Sequence, residues 1–102
     1  LKPASRERLV GWMEKTETGL KRLRAGFPPG WRAGDKTGTY WAEGMAGKCN
    51  DVAICWPPGR APLIVTAFYE TPTSRRDGLD EANQAVLAEV GRIAAAWTSS
   101  NS

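Results

Sequence analysis

Two neighbouring runs constrain this chain more than anything else in it: Asp51 to Trp56 (DVAICW) and Pro62 to Tyr69 (PLIVTAFY). Both are rich in β-branched and aromatic residues and almost continuously apolar. Strands with that pattern are covered on both faces. The connection Pro57-Pro58-Gly59-Arg60-Ala61 is short enough for a hairpin. Any fold that contains this pair has to supply a layer on each side of a sheet.

The remaining segments offer two helices as cover. Residues 3–15 begin with Pro3 and Ser5 and carry Leu9, Trp12 and Met13 at helical spacing. Proline suits a first helical position, where its missing N–H is no loss. Thr18-Gly19 interrupts, Leu20 to Ala25 fits one further helical turn, and Gly26-Phe27-Pro28-Pro29-Gly30 breaks the chain again. Trp31 to Thr39 is a third strand candidate, followed by a glycine-rich loop from Tyr40 to Cys49. Near the C-terminus Asp77, Asp80 and Glu81 place negative charge where a helix begins. Ala82, Val86, Val90, Ile93 and Trp97 then recur at helical spacing and predict one apolar face. The polar tail Thr98 to Ser102 is expected to fray.

The predicted order is helix, three antiparallel strands, helix: an α+β fold with no internal repeat and no second domain. The C-terminal helix can cover one face of the sheet. The short N-terminal helix is a poor cover for the other, and sheet edges stay unpaired. The pattern therefore reads as part of a larger core, and the isolated chain is expected to aggregate or order poorly. That it begins at Leu1 fits a processed product, a fragment or one chain of a cut protein.

Charge and composition narrow the functional classes. The net charge is +3, but the basic residues are scattered, with one tight cluster at Lys21, Arg22 and Arg24. The excess reads as a solvated surface, and no nucleic-acid partner is expected. There is no histidine and there are two cysteines, which argues against zinc chemistry. On one strand Cys49 and Cys55 would share a face about 20 Å apart, too far for a bridge. No apolar run is long enough to cross a membrane, and no signal peptide is evident. Trp12, Trp31, Trp56 and Trp97 are expected to serve packing.

The segment most suited to chemistry is Asp35-Lys36-Thr37-Gly38-Thr39. On a strand beside a pocket, a lysine ammonium and a threonine hydroxyl together hold a carboxylate by charge and by a directed hydrogen bond. The glycine lets a ligand approach the backbone. The following N–H, that of Thr39, can aim at a developing oxyanion. As a bare triplet Lys-Thr-Gly is weak evidence, since it occurs by chance on exposed turns.

Its surroundings are more specific. The stretch ASRERLVGWMEKTETGLKRLRAGFPPGWRAGDKTGT resembles the helix, turn and Lys-Thr-Gly strand of the class A serine β-lactamases. NDVAICWPPGRAPLIVTAFYE is similar to the two strands that follow in that family, and the last helix to the one that closes its α/β sandwich. The resemblance implies that residues 1–102 form the C-terminal segment of a β-lactamase domain, periplasmic or secreted, acting on a β-lactam without a cofactor. It implies that Lys36 supplies positive potential, Thr37 donates to the substrate carboxylate, Gly38 leaves room for the ligand and Thr39 N–H is half of the oxyanion hole. It also implies that Arg22 reaches toward that carboxylate, in keeping with Asn50 and Asp51 where other members carry an arginine. Arg24 is expected to make a structural ion pair, with Asp35 as the candidate partner.

Three departures matter. The chain contains no Ser-x-x-Lys, no Ser-Asp-Asn and no Glu-x-x-Leu-Asn, so the nucleophile and its bases are expected from a complementary N-terminal segment or chain. Alone, the chain is expected to be inactive. The interval after Thr39 is longer than in related members by roughly four residues, a difference that surface loops tolerate. Tyr40, Trp41 and Met45 there suit either substrate access or a non-catalytic scaffold displaying an aromatic loop. A penicillin-binding acyl transferase is the more distant alternative.

Overall fold

The computed structural model describes residues 1–40, 47–71 and 81–100. Helix α1 (Pro3–Lys15) is followed by turns, a short 3-10 segment (Leu23–Gly26), strands β1 (Arg32–Tyr40), β2 (Lys48–Trp56) and β3 (Leu63–Glu70), and helix α2 (Glu81–Ser100). The strands form one antiparallel sheet in the order β1-β2-β3. The α+β order expected from the sequence is the observed one.

Strand period 2 sorts the sheet into two faces. Ala33, Asp35, Thr37 and Thr39 of β1 lie beside Cys55, Ala53, Asp51 and Cys49 of β2, and Leu63, Val65 and Ala67 of β3 continue that face. The 3-10 segment and α2 cover it. Leu23, Phe27, Ala53, Cys55 and Ala95 are buried there, with Trp31, Leu63, Val65 and Val90 packed around them. The opposite face is met by α1, which lies against β1. A Cβ at Gly34 would stand 2.7 Å from Glu14 N and 2.8 Å from the Met13 carbonyl carbon, so that close approach requires the glycine. Arg32 adds a bidentate ion pair to Glu14 at 2.7 Å and stacks 3.9 Å over the Trp56 ring.

Several expectations need correction. β2 begins at Lys48 rather than Asp51, because Lys48 pairs in register with Tyr40 and Glu70 and forms an ion pair with Glu70. The read loop therefore shortens at both ends; Trp41 and Met45 lie outside the described residues. β3 alternates instead of being covered twice: Ile64 is 66% exposed and Phe68 79%. α1 reaches β1 but leaves β3 bare on that side.

The packing face of α2 also differs. Asn83, Gln84, Leu87, Gly91, Ala95 and Thr98 are buried, whereas Ala82, Val86, Ile93 and Trp97 are exposed and Val90 is half-buried. The reason is a close contact with the 3-10 segment. A Cβ at Gly91 would lie 2.1 Å from Leu23 O, and one at Gly26 2.0 Å from Ala88 O. Small residues let the two backbones meet, so the bulkiest stripe turns outward. Asp77 and Asp80 lie outside the described residues. The helix runs on through Ser100 rather than fraying at Thr98, with the Thr98 and Ser99 hydroxyls donating to Ala94 O and Ala95 O. Of the tryptophans, Trp31 packs in the core and stacks on Phe27 at 6.4 Å, while Trp12 and Trp97 are exposed.

Candidate functional site

β1 is an edge strand in the described sheet, so side chains from both of its faces border its open side. Lys36 is exposed, and its ammonium donates to Thr37 O at 2.8 Å. Thr37 is half-buried, with its hydroxyl 3.1 Å from that of Thr18 on the turn after α1. At Gly38 an added Cβ would meet Asn50 only at ordinary contact distance, 3.8 Å. The chain's own packing does not demand a glycine there.

Arg22 organises the far end of this wall. It is fully buried, held by the turn after Gly19. Its guanidinium donates to Thr39 Oγ1 at 2.6 Å, to Asn50 O at 2.7 Å and Gly38 O at 3.4 Å, and to Gln84 Oε1 at 3.1 Å. A planar fork whose donors are spread over three nitrogens serves β1, β2 and α2 at once, a span that the single nitrogen of an ammonium does not have. Since Thr39 Oγ1 accepts from Arg22, the hydroxyl proton of Thr39 remains to be donated elsewhere.

A second polar layer lies behind Thr37. Asp35 and Asp51 are 0% and 1% exposed. Arg24 Nη1 stands 3.5 Å from Asp35 Oδ1, the ion pair expected from the sequence, and also donates to Thr16 O at 3.1 Å. Asp51 Oδ2 accepts from Leu23 N at 3.1 Å. Burial, joined by the hydrogen bond and charge of Asp35, pushes Asp51 up to about 8; the Leu23 N–H and the Arg22 charge oppose that rise. Burial likewise pushes the Cys49 and Cys55 thiols up, and both are free.

The sequence-read residues Lys36, Thr37, Gly38 and Thr39 thus share one strand end, and Arg22 joins them through Gly38 and Thr39. The arrangement can hold an anion by one ammonium and two hydroxyls. Among the described residues no cluster suits a metal ion. Sequence reasoning passed over Thr18 and Gln84. The signal for Gln84 was present, because Asn83-Gln84 sits one step off the apolar stripe of α2, where a polar pair has to find buried partners.

With that geometry in place, comparisons with known proteins are informative. A model of the beta-lactamase enzyme family matches residues 1–98. The carbapenem-hydrolyzing beta-lactamase KPC of Klebsiella oxytoca is 38% identical over 89 residues, covering 87% of this chain and 28% of its own length. A beta-lactamase of Mycobacterium tuberculosis is 39% identical over 95 residues, 93% of this chain and 29% of its own. The chain therefore spans less than a third of these relatives. Among solved structures, a beta lactamase from Burkholderia vietnamiensis superposes with a TM-score of 0.81 at 39% identity, over 97% of this chain and 34% of that one. An ancestral class A beta-lactamase gives 0.76 at 49% identity, over 92% and 33%. The two helices and three-stranded sheet match that part of the class A fold, and the chain belongs to the beta-lactamase enzyme family.

Proposed function

We propose that residues 1–102 are the C-terminal segment of a β-lactamase domain and form the substrate-carboxylate wall of a hydrolase that opens β-lactams through a serine acyl-enzyme. Lys36 supplies the positive field and Thr37 a hydroxyl to the substrate carboxylate. Gly38 leaves space for the lactam. Thr39 contributes its N–H as half of the oxyanion hole and its hydroxyl as a further carboxylate donor. Arg22, buried, acts through Thr39 rather than by touching the substrate. The observation that carries this reading is the 2.6 Å Arg22–Thr39 bond, which commits the threonine oxygen as acceptor and leaves its proton for a ligand.

The serine nucleophile, its lysine and the deacylating glutamate are outside this sequence, so activity belongs to an assembly with the complementary N-terminal portion. Such an enzyme works in the periplasm or after secretion and confers resistance to β-lactam antibiotics. No helix among the described residues is long and apolar enough to cross a membrane. The test is turnover of a chromogenic cephalosporin by the assembled protein. Hydrolysis that falls on Lys36→Ala supports the reading. Absence of turnover with every segment present overturns it in favour of a scaffold that displays residues 40–49.

A further inference from the structure

Under the Lys-Thr-Gly strand, two buried carboxyl groups face each other with too few donors. Asp35 and Asp51 occupy adjacent strands on one face, offset by two residues: Thr37 pairs with Asp51, and Asp35 with Ala53. Leu23 N satisfies Asp51 Oδ2, and Arg24 stands by Asp35 Oδ1. Among the described residues, that leaves Asp51 Oδ1 and the Asp35 oxygens without a hydrogen-bond donor. The turn at Gly19 closes over Asp35 so tightly that a Cβ there would fall 1.4 Å from Oδ2. Two unshared negative charges in such a site would repel each other at low dielectric. A proton between them removes the repulsion and supplies the missing donor together.

We propose that Asp35 and Asp51 share one proton, carried on Asp51 Oδ1 and donated to the Arg24-paired Asp35, and that this bond positions Lys36 to Thr39 by tying β1 to β2 directly beneath them. The proposal rests on the β-lactamase reading only for its consequence in turnover. The charged and titratable groups around the pair are Arg24 on Asp35, Arg22 and Cys49 on the Asp51 side, and Glu14 beyond Arg24. The upward displacement of Asp51 agrees with the shared proton. Once Asp51 gives up that proton, the bond to Asp35 is lost and the strand above it loosens.

The experiment uses the full-length protein, labelled for carbon-13 and nitrogen-15 NMR, as wild type and as Asp51→Asn. The asparagine accepts from Leu23 N and donates to Asp35 but has no proton to lose. Expected are an Asp51 carboxyl that titrates near 8 and Lys36 to Thr39 amide shifts that follow the same midpoint. In Asp51→Asn those amide shifts stay flat. In turnover, kcat/KM of the wild type falls along that midpoint, and Asp51→Asn abolishes the alkaline fall. An Asp51 that titrates in the ordinary carboxylate range overturns the proposal, as do β1 amides indifferent to its titration. A protein that titrates as expected yet hydrolyses no β-lactam overturns the hydrolase reading and leaves the shared proton standing.

Discussion

The bond between Arg22 and Thr39 can be isolated by a double-mutant cycle. Arg22→Ala removes a buried guanidinium and leaves Asn50 O, Gln84 Oε1 and Thr39 Oγ1 without their donor. A charge-assisted bond to a neutral acceptor contributes about 1.5–3 kcal/mol. Three such losses, partly relieved by entering water, place the destabilisation at roughly 3–5 kcal/mol, as for other broken buried charge networks. Those losses at Asn50 and Gln84 are structural, however, and would occur whether or not Arg22 matters to substrate. The term specific to the site is the 2.6 Å bond alone. Arg22→Ala, Thr39→Val and the double variant, compared by kcat/KM on a carboxylate-bearing cephalosporin, should therefore couple by about 1.5–3 kcal/mol. In turnover this means that Arg22→Ala costs roughly 10- to 150-fold when Thr39 is present and far less when it is already valine. Effects of the two substitutions that add within about 0.5 kcal/mol would refute the idea that Arg22 acts through Thr39.

Four further outcomes follow from packing and charge. Gly19→Ala should destabilise the full-length protein by at least about 2 kcal/mol in urea, because its Cβ would overlap the buried Asp35 carboxylate. Gly11→Ala, in α1 with nothing within 4 Å of the new Cβ, should instead stabilise by roughly 0.5–1 kcal/mol. Equal effects at the two glycines would contradict the geometry. Arg24→Met leaves Asp35 without its cation and should cost about 3 kcal/mol, read as a drop in melting temperature. The Asp51 carboxyl, raised to about 8 in the fold, holds a proton that the unfolded chain releases near the ordinary carboxylate value. Its contribution is complete below the latter and drains as pH rises toward 8, at up to about 1.4 kcal/mol per pH unit. A wild-type stability profile over that interval no steeper than that of Asp51→Asn would count against it. Finally, the isolated 102-residue chain should bind a hydrophobic dye and elute as aggregates, since Ile64 and Phe68 on the bare face of β3 and Ile93 and Trp97 on α2 are all exposed. A sharp, monomeric, cooperative melt would refute that.

The sequence by itself determined the order of the elements and which residues stand together on the Lys36–Thr39 segment. Helical spacing of apolar residues located α1 and α2, and nearly continuous β-branched and aromatic runs located β2 and β3. Lys36, Thr37 and Gly38 stay together because they are contiguous, and their strand was legible through the resemblance to the family rather than through local propensity. The Arg24–Asp35 pair was also legible, through the resemblance to the family. What the sequence could not decide was everything set by close approach between distant segments. The α2 face followed from backbone contact at Gly26 and Gly91, so the small residues turned in and Val86, Ile93 and Trp97 turned out. The sheet ladder reached back to Lys48 through pairing with Tyr40 and Glu70, which no local propensity encodes. Arg22 was read, through the resemblance, as reaching toward the substrate carboxylate. Its burial, and its attachment to Thr39, Asn50 and Gln84 across up to 62 residues of sequence, came only from tertiary structure. Hydrogen-bond partners of a buried charge are fixed by desolvation, and desolvation is a property of the packed molecule.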